Sequence, residues 1–365
     1  MRVLFVCTAL APHGGIQRFN RNLLQALGDL GAELDVVIVN DPQTTGQSPY
    51  DKHTRLHGAD GSKVRWAAGV LRLLLTRRYD RCVCGHLHLA AAFSALTTLH
   101  GYSREQRVLV LHGVEVWNRM VGLRRSGARQ FGRVLAVSNF TAESFLEQMS
   151  DFPADAVTIF PNTISLEPPA IPMRSEPPET TSIGVRLLSV TRLARSERDK
   201  GILDVLAAVA ALRERVNMHY VVVGEGDDRV FLEERARSLG LSRQVEFAGA
   251  LTDRELWAAY SNADVFILPS RKEGFGIVFL EAMRFGLPVI GAREKGAVDV
   301  IQQNVNGLLV EYGDVSAISH AVLELASDRA LRQRLGTAGK SLVDSGGQFS
   351  FEAFRSRCQE WILAA

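Results

Sequence analysis

The sequence predicts an α/β protein made of two Rossmann-like domains, each built on a parallel sheet. Three observations predict it. At about 150 residues per domain, the 365 residues allow two domains. Short apolar runs alternate with helix-periodic stretches, and this alternation occurs twice, the pattern of βαβ units with right-handed crossovers. Between the two occurrences lies 166–182, which holds five of the 12 prolines and has no periodicity, as expected of a linker.

In the first domain, 1–165, Val3–Cys7 reads as a fully buried strand. Ile16, Phe19, Leu23, Leu27 and Leu30 then recur at helical spacing. Further strands are expected at Leu34–Val39, Cys82–Cys84, Val108–Leu111, Val134–Val137 and Val157–Phe160. The second domain, 183–348, opens with a strand at Val185–Val190. A helix is marked by Ile202, Val205, Leu206, Val209 and Leu212. Strands at Tyr220–Val223 and Val265–Leu268, a helix over Gly276–Phe285 and a strand at Pro288–Ile290 follow. The last helix, Phe349–Leu363 within 349–365, has no strand after it and is expected to pack back on the first domain.

Composition narrows the function. A net charge of +2 excludes a general nucleic-acid coat. Four cysteines in so long a chain make no disulfide framework and point to a reducing, cytoplasmic setting. No apolar run reaches the roughly 18 residues of a membrane span, and Pro12, Gly14 and Gly15 interrupt the N-terminal apolar stretch too early for a signal sequence. Charge is uneven, however. Residues 55–133 carry 14 basic and 4 acidic side chains. This is either a solvated surface or a patch for an anionic partner.

Open α/β sheets bind ligands beyond the carboxyl ends of their strands, and four loops there carry chemistry. After the first strand, Gly14 and Gly15 lead into a helix whose N–H groups suit phosphate. After Leu187–Val190, Arg192 and Lys200 flank a loop and can converge on a diphosphate. In Glu273-Gly274-Phe275-Gly276-Ile277, the N–H groups at a helix start can hold phosphate. Glu273 and Glu281, eight apart, can accept from sugar hydroxyls. After Val108–Leu111, His112 stands where a buried strand opens into a loop. Each feature also has a structural reading, as a tight turn, a surface charge or a buried paired carboxylate.

Taken in order, Gly14-Gly15, His112, Arg192…Lys200, Val223-Gly224-Glu225-Gly226 and Glu273-x7-Glu281 around Gly274-Phe275-Gly276 resemble the retaining nucleotide-sugar glycosyltransferases of family four. The resemblance covers essentially the whole chain. Gly296-Ala297 departs from it, standing where the family often has Gly-x-Pro. It implies the GT-B fold, with the two domains facing a central cleft, and a nucleotide-diphosphate-sugar donor held mainly by the second domain. By resemblance, Arg192 and Lys200 neutralise the leaving diphosphate, while Gly14, Gly15, Phe275 and Gly276 bind it through backbone N–H groups. Glu273 holds donor-sugar hydroxyls, Glu281 the ribose, and His112 the transferred sugar near its primary hydroxyl. Gly224, Gly274 and Ile277 join the donor-binding set.

No cofactor is expected, and no metal: aspartates two positions apart, the metal motif of the GT-A class, do not occur. Cys82, Cys84, His86 and His88 have the spacing of a zinc site, but the two cysteines share one face of a buried strand and read better as packing. His86 is a candidate for the acceptor side. The acceptor implied is a sugar or a lipid-linked polysaccharide precursor, with peripheral contact at the inner face of the membrane. Arginines interleave with Trp66, Leu71, Leu73, Leu74, Leu75, Trp117, Met120, Val121 and Leu123, as a basic amphipathic surface would. A soluble acceptor is the alternative, and a sugar-nucleotide-binding protein is the non-enzyme one. A nicotinamide dehydrogenase is rejected because Gly224-Glu225-Gly226-Asp227-Asp228-Arg229 lacks the third glycine of Gly-x-Gly-x-x-Gly.

Overall fold

The computed structural model describes residues 1–11, 14–42, 53–164 and 184–364, with the backbone of 45–47. The linker read at 166–182 lies outside the described residues. The chain divides into two compact units, Met1–Ser165 with Phe349–Ala365, and Leu166–Gln348.

The first unit contains β1 (Arg2–Cys7), β2 (Glu33–Ile38), β3 (Thr45–Gln47), β4 (Thr54–Gly58), β5 (Arg81–Cys84), β6 (Arg107–Leu111), β7 (Arg133–Ala136) and β8 (Val157–Ile159). Their order is β3-β4-β2-β1-β5-β6-β7-β8. Every pairing is parallel except the short β3 against β4. The second unit contains β9 (Gly184–Val190), β10 (Asn217–Val223), β11 (Val245–Gly249), β12 (Val265–Leu268), β13 (Val289–Ala292) and β14 (Gly307–Val310), in the order β11-β10-β9-β12-β13-β14 and all parallel.

Helices cover both faces, so central strands such as β1, β6 and β12 are buried, Arg2 excepted, and after the leading arginine of the first two they read as continuous apolar runs. Four strands escape the sequence reading: β3, β4, β11 and β14. Three are sheet edges and β4 is shielded only by β3, so none needs a long apolar run. Asp35, inside β2, is 4% exposed and accepts from Tyr79 Oη at 2.9 Å, Arg77 Nη1 at 3.0 Å and His57 Nε2 at 3.3 Å. Burial alone would raise its pKa, but these partners outweigh it and hold the carboxyl below its ordinary range.

The C-terminal segment belongs to the first unit. It is one turn pattern broken in two: the helix Phe351–Cys358 loosens into a π-turn over Gln359–Leu363. Phe354 is fully buried edge-on to Phe19 and Phe160, at 5.7 and 5.0 Å between ring centres. Arg81 and Arg133 donate to the carbonyls of Ile362 and Trp361. The π-turn thus places terminal carbonyls against arginines at the N-terminal ends of β5 and β7.

Candidate active site

In each sheet the strand order reverses at one point, where a crevice forms beyond the carboxyl ends. In the second unit that point lies between β9 and β12, so the loop carrying Arg192 and Lys200 meets the loop carrying Glu273. Backbone bonds stitch the two loops, Arg271 N donating to Asp199 O at 2.8 Å. Lys200 Nζ reaches Glu273 Oε1 at 2.7 Å, with side chains only 18% and 11% exposed. Burial works against the ammonium, but Glu273 first, then Glu197 and Asp199, more than compensate and raise the Lys200 pKa. Arg192 is paired with Glu197 and is 78% exposed. Both cations line one concavity with Leu193, Glu197 and Arg198. The sequence reading assigned Lys200 and Glu273 separately, and the structure joins them as one ion pair.

Immediately after Glu273, the helix Ile277–Arg284 begins with Gly276 at its cap. Phe279 N donates to Gly276 O at 2.9 Å; the N–H groups ahead of it have no carbonyl one turn back in the helix and, with Gly274 and Phe275, form the candidate phosphate cradle. Gly296 closes over this turn at φ +82°, and a Cβ there would stand 2.1 Å from the Glu273 carbonyl oxygen. Glu281 is 3% exposed and accepts from Tyr260 Oη at 2.7 Å. Its buried, paired state is the structural reading noted above, and Tyr260 is a partner the sequence did not suggest.

Gly224 serves a different end. At φ +141° its missing Cβ would lie 1.8 Å from the Thr191 carbonyl oxygen, so the turn after β10 presses directly on the Arg192 loop. Its N–H donates to Gly249 O at 2.9 Å. Gly224 therefore acts by allowing close approach, with its N–H already engaged by protein. Arg198 braces the same loop through two bonds to Asp228, at 2.7 and 2.6 Å.

In the first unit the order reverses between β1 and β5. Gly14 and Gly15, after β1, are exposed at the start of the helix Gly15–Asp29. Pro12 and His13 lie outside the described residues. His112, after β6, is 8% exposed, packs edge-on against Phe19 at 5.0 Å and has Nε2 3.0 Å from the Gly85 carbonyl oxygen. That nitrogen carries the proton and donates, leaving Nδ1 as an acceptor. His86 lies 6.1 Å from His112 between ring centres. It caps the helix Leu87–Leu99, its Nδ1 accepting from His88 N at 3.2 Å. Burial, the largest influence on all three imidazoles, holds His86, His88 and His112 below the ordinary histidine pKa. Cys82 and Cys84 are buried in β5, and burial pushes both thiols up to about 12. Among the described residues, no group of three His, Cys, Asp or Glu side chains is placed to hold a metal ion.

The amphipathic surface needs correction. Trp66, Leu73, Leu74 and Met120 belong to the core and Trp117 is partly buried. What stays outside is Val64, Leu71 and Leu75 on the helix Lys63–Thr76, and Val114, Val121 and Leu123 further on. Lys63, Arg65, Arg72, Arg119 and Arg124 are exposed beside them in sequence. Among the described residues, no helix is long and apolar enough to cross a membrane.

Two parallel-sheet units, one carrying a cation–glutamate pair and a glycine-capped helix start at its switch point, define a glycosyltransferase of the GT-B fold. The chain belongs to the family-four glycosyltransferases: residues 13–168 match Glycosyltransferase Family 4 and residues 186–342 match Glycosyl transferases group 1. It is similar to the GDP-mannose-dependent alpha-(1-6)-phosphatidylinositol monomannoside mannosyltransferase of Mycobacterium tuberculosis, 30% identical over 99% of this chain and 98% of that one. It also resembles the lipopolysaccharide core biosynthesis glycosyltransferase LpsE of Rhizobium meliloti, 34% identical over 45% of this chain and 46% of that one. The fold matches HepE of Anabaena, solved with UDP and glucose, with a TM-score of 0.79 and 19% identity over all of both chains. It likewise matches sucrose-phosphate synthase of Thermosynechococcus elongatus, with a TM-score of 0.79 and 20% identity over 98% of this chain and 97% of that one.

Proposed function

We propose that the protein is a retaining, metal-independent hexosyltransferase that moves a hexose from a nucleotide-diphosphate sugar to a lipid-linked acceptor. The observation that carries the donor half is the Lys200–Glu273 pair beside the Gly276-capped helix start. Breaking the anomeric C–O bond leaves negative charge on the diphosphate, and Lys200, Arg192 and the helix N–H groups are fixed donors for it. Glu273 neutralises Lys200 before substrate arrives and accepts from sugar hydroxyls once it does. Glu281 takes the ribose by exchanging Tyr260 for it, and His112 faces the transferred hexose. Among the described residues no carboxylate stands out as a nucleophile, and the acceptor oxygen attacks on the face the phosphate leaves. Its proton passes to the departing phosphate oxygen.

The acceptor half rests on the exposed apolar residues Val64, Leu71, Leu75, Val121 and Leu123 with arginines beside them. Such a surface suits an anionic bilayer, each basic residue near the lipid contributing about 1 kcal/mol. The 30%-identical relative named for a phosphatidylinositol mannoside and for GDP-mannose makes GDP-mannose the first donor to test. The deciding experiment follows donor turnover in EDTA and reads the anomeric configuration of the product by NMR. A retained configuration with full activity in EDTA is expected; inversion or loss of activity in EDTA refutes the mechanism.

A further inference from the structure

The proposed chemistry leaves two buried carboxylates in the first unit unused: Asp35, held by Tyr79, Arg77 and His57, and Glu115. Glu115 lies in the short helical turn Val114–Trp117 directly after His112 and is 4% exposed. Its Oε1 accepts from His112 N at 2.7 Å, so the side chain folds back on the loop that opens from β6. Its Oε2 is buried without a hydrogen-bond partner. In the same turn, Trp117 Nε1 is a second buried polar atom without one. A carboxylate oxygen left in this state costs free energy comparable to its desolvation, and such costs persist where a ligand completes the bonding. The surroundings indicate which ligand. Glu115 lies within electrostatic reach of His86, His88 and His112, all at the carboxyl ends of β5 and β6. His86 accepts at Nδ1 and so presents Nε2–H as a donor. An acceptor oxygen in a loop cluster that also offers the N–H donors of His86 and Trp117 matches a group that both donates and accepts, which is a hydroxyl.

Resting on the glycosyltransferase reading, we propose that Glu115 is a substrate-binding residue whose Oε2 accepts a hydrogen bond from a hydroxyl of the bound sugar. Its other oxygen meanwhile holds the His112 main chain in place. Glu115 thus ties the position of His112 to the presence of a hydroxyl-bearing substrate.

Glu115→Gln is the test. The amide oxygen can keep the His112 N–H, while a donor replaces the acceptor at Oε2. Three readouts are taken on the full chain: the unliganded Tm, hydrolysis of GDP-mannose and UDP-glucose to water, and transfer to octyl mannoside. Each rate is repeated with monodeoxy donors and monodeoxy acceptors. The expected Tm is unchanged or slightly raised, because the lost charge had no partner at Oε2. The expected rate falls about tenfold or more, the scale of one hydrogen bond to a charged group. The wild-type penalty for one particular deoxy substrate disappears in the variant. If that substrate is a donor, hydrolysis and transfer fall together; if it is an acceptor, hydrolysis is spared. Fully additive deoxy penalties, or rates within about twofold of wild type, overturn the proposal. So does a Tm drop above about 5 °C, which for a chain of this size is the loss of a structural interaction worth more than 1 kcal/mol. A wild type that consumes neither donor refutes the proposed choice of donors instead, and Tm measured with octyl mannoside added then decides Glu115: a ligand-induced rise kept in full by the variant overturns the proposal.

Discussion

Breaking the Lys200–Glu273 pair from either side should cost more than removing both partners together. At 2.7 Å, with both side chains less than a fifth exposed, the attraction is about 6 kcal/mol at an effective dielectric of 20. Much of that offsets the desolvation of two ions. Removing one partner leaves the other buried and uncompensated, which costs about 3–5 kcal/mol. Lys200→Met and Glu273→Gln should therefore each lower Tm by roughly 6–20 °C, taking about 2–4 °C per kcal/mol for a unit of this size. The double variant should recover a large part of the loss, because no lone charge remains. Thermal melts of the four proteins at pH 7 form the cycle, with a coupling of about 2 kcal/mol or more expected. The Lys200 pKa is raised, so its stabilisation is complete at neutral pH and fades only as pH climbs past the ordinary lysine range. Single effects that add within about 0.5 kcal/mol in the double variant would refute the coupling and reduce the pair to two independent side chains.

Glu281→Ala should weaken binding of free nucleoside diphosphate by about tenfold, one hydrogen bond to a charged group, while Glu273→Ala leaves it nearly intact and depresses transfer; calorimetry on both variants separates ribose from sugar contacts. Arg192→Ala should cost about 3 kcal/mol of transition-state stabilisation with little change in Tm, since Arg192 is largely exposed; normal turnover at saturating donor would make it a surface charge. The lowered pKa values of His86, His88 and His112 mean that the unfolded chain binds more protons than the folded one below about pH 6.5. Stability from these residues is complete above that pH and is lost as pH falls through it, so the melting-temperature slope between pH 7 and 5 should flatten in His112→Asn. Binding to anionic vesicles should require low salt and weaken when Arg119 and Arg124 become Glu or Leu123 becomes Ser; a wild type that ignores such vesicles removes the case for a membrane-borne acceptor.

Sequence alone determined the fold class and the order of the site motifs. A strand covered on both faces is apolar along most of its length, so the runs Val3–Cys7 of β1, Val108–Leu111 of β6 and Val265–Leu268 of β12 announce themselves without any knowledge of their neighbours. Glycine-rich turns at strand ends are equally local signals. Edge strand β11 was not legible, because half-covered backbone tolerates polar residues and glycine. Only the tertiary structure decided which charges meet. Lys200 and Glu273 are 73 residues apart in the chain, and their contact exists because the sheet reverses its order between β9 and β12. The same holds for Tyr260 on Glu281, and for the division of the apolar stretch into a buried Trp66 and an exposed Leu75. Periodicity marks a residue as apolar or charged, but whether it is covered depends on what the chain brings against it from far away in sequence.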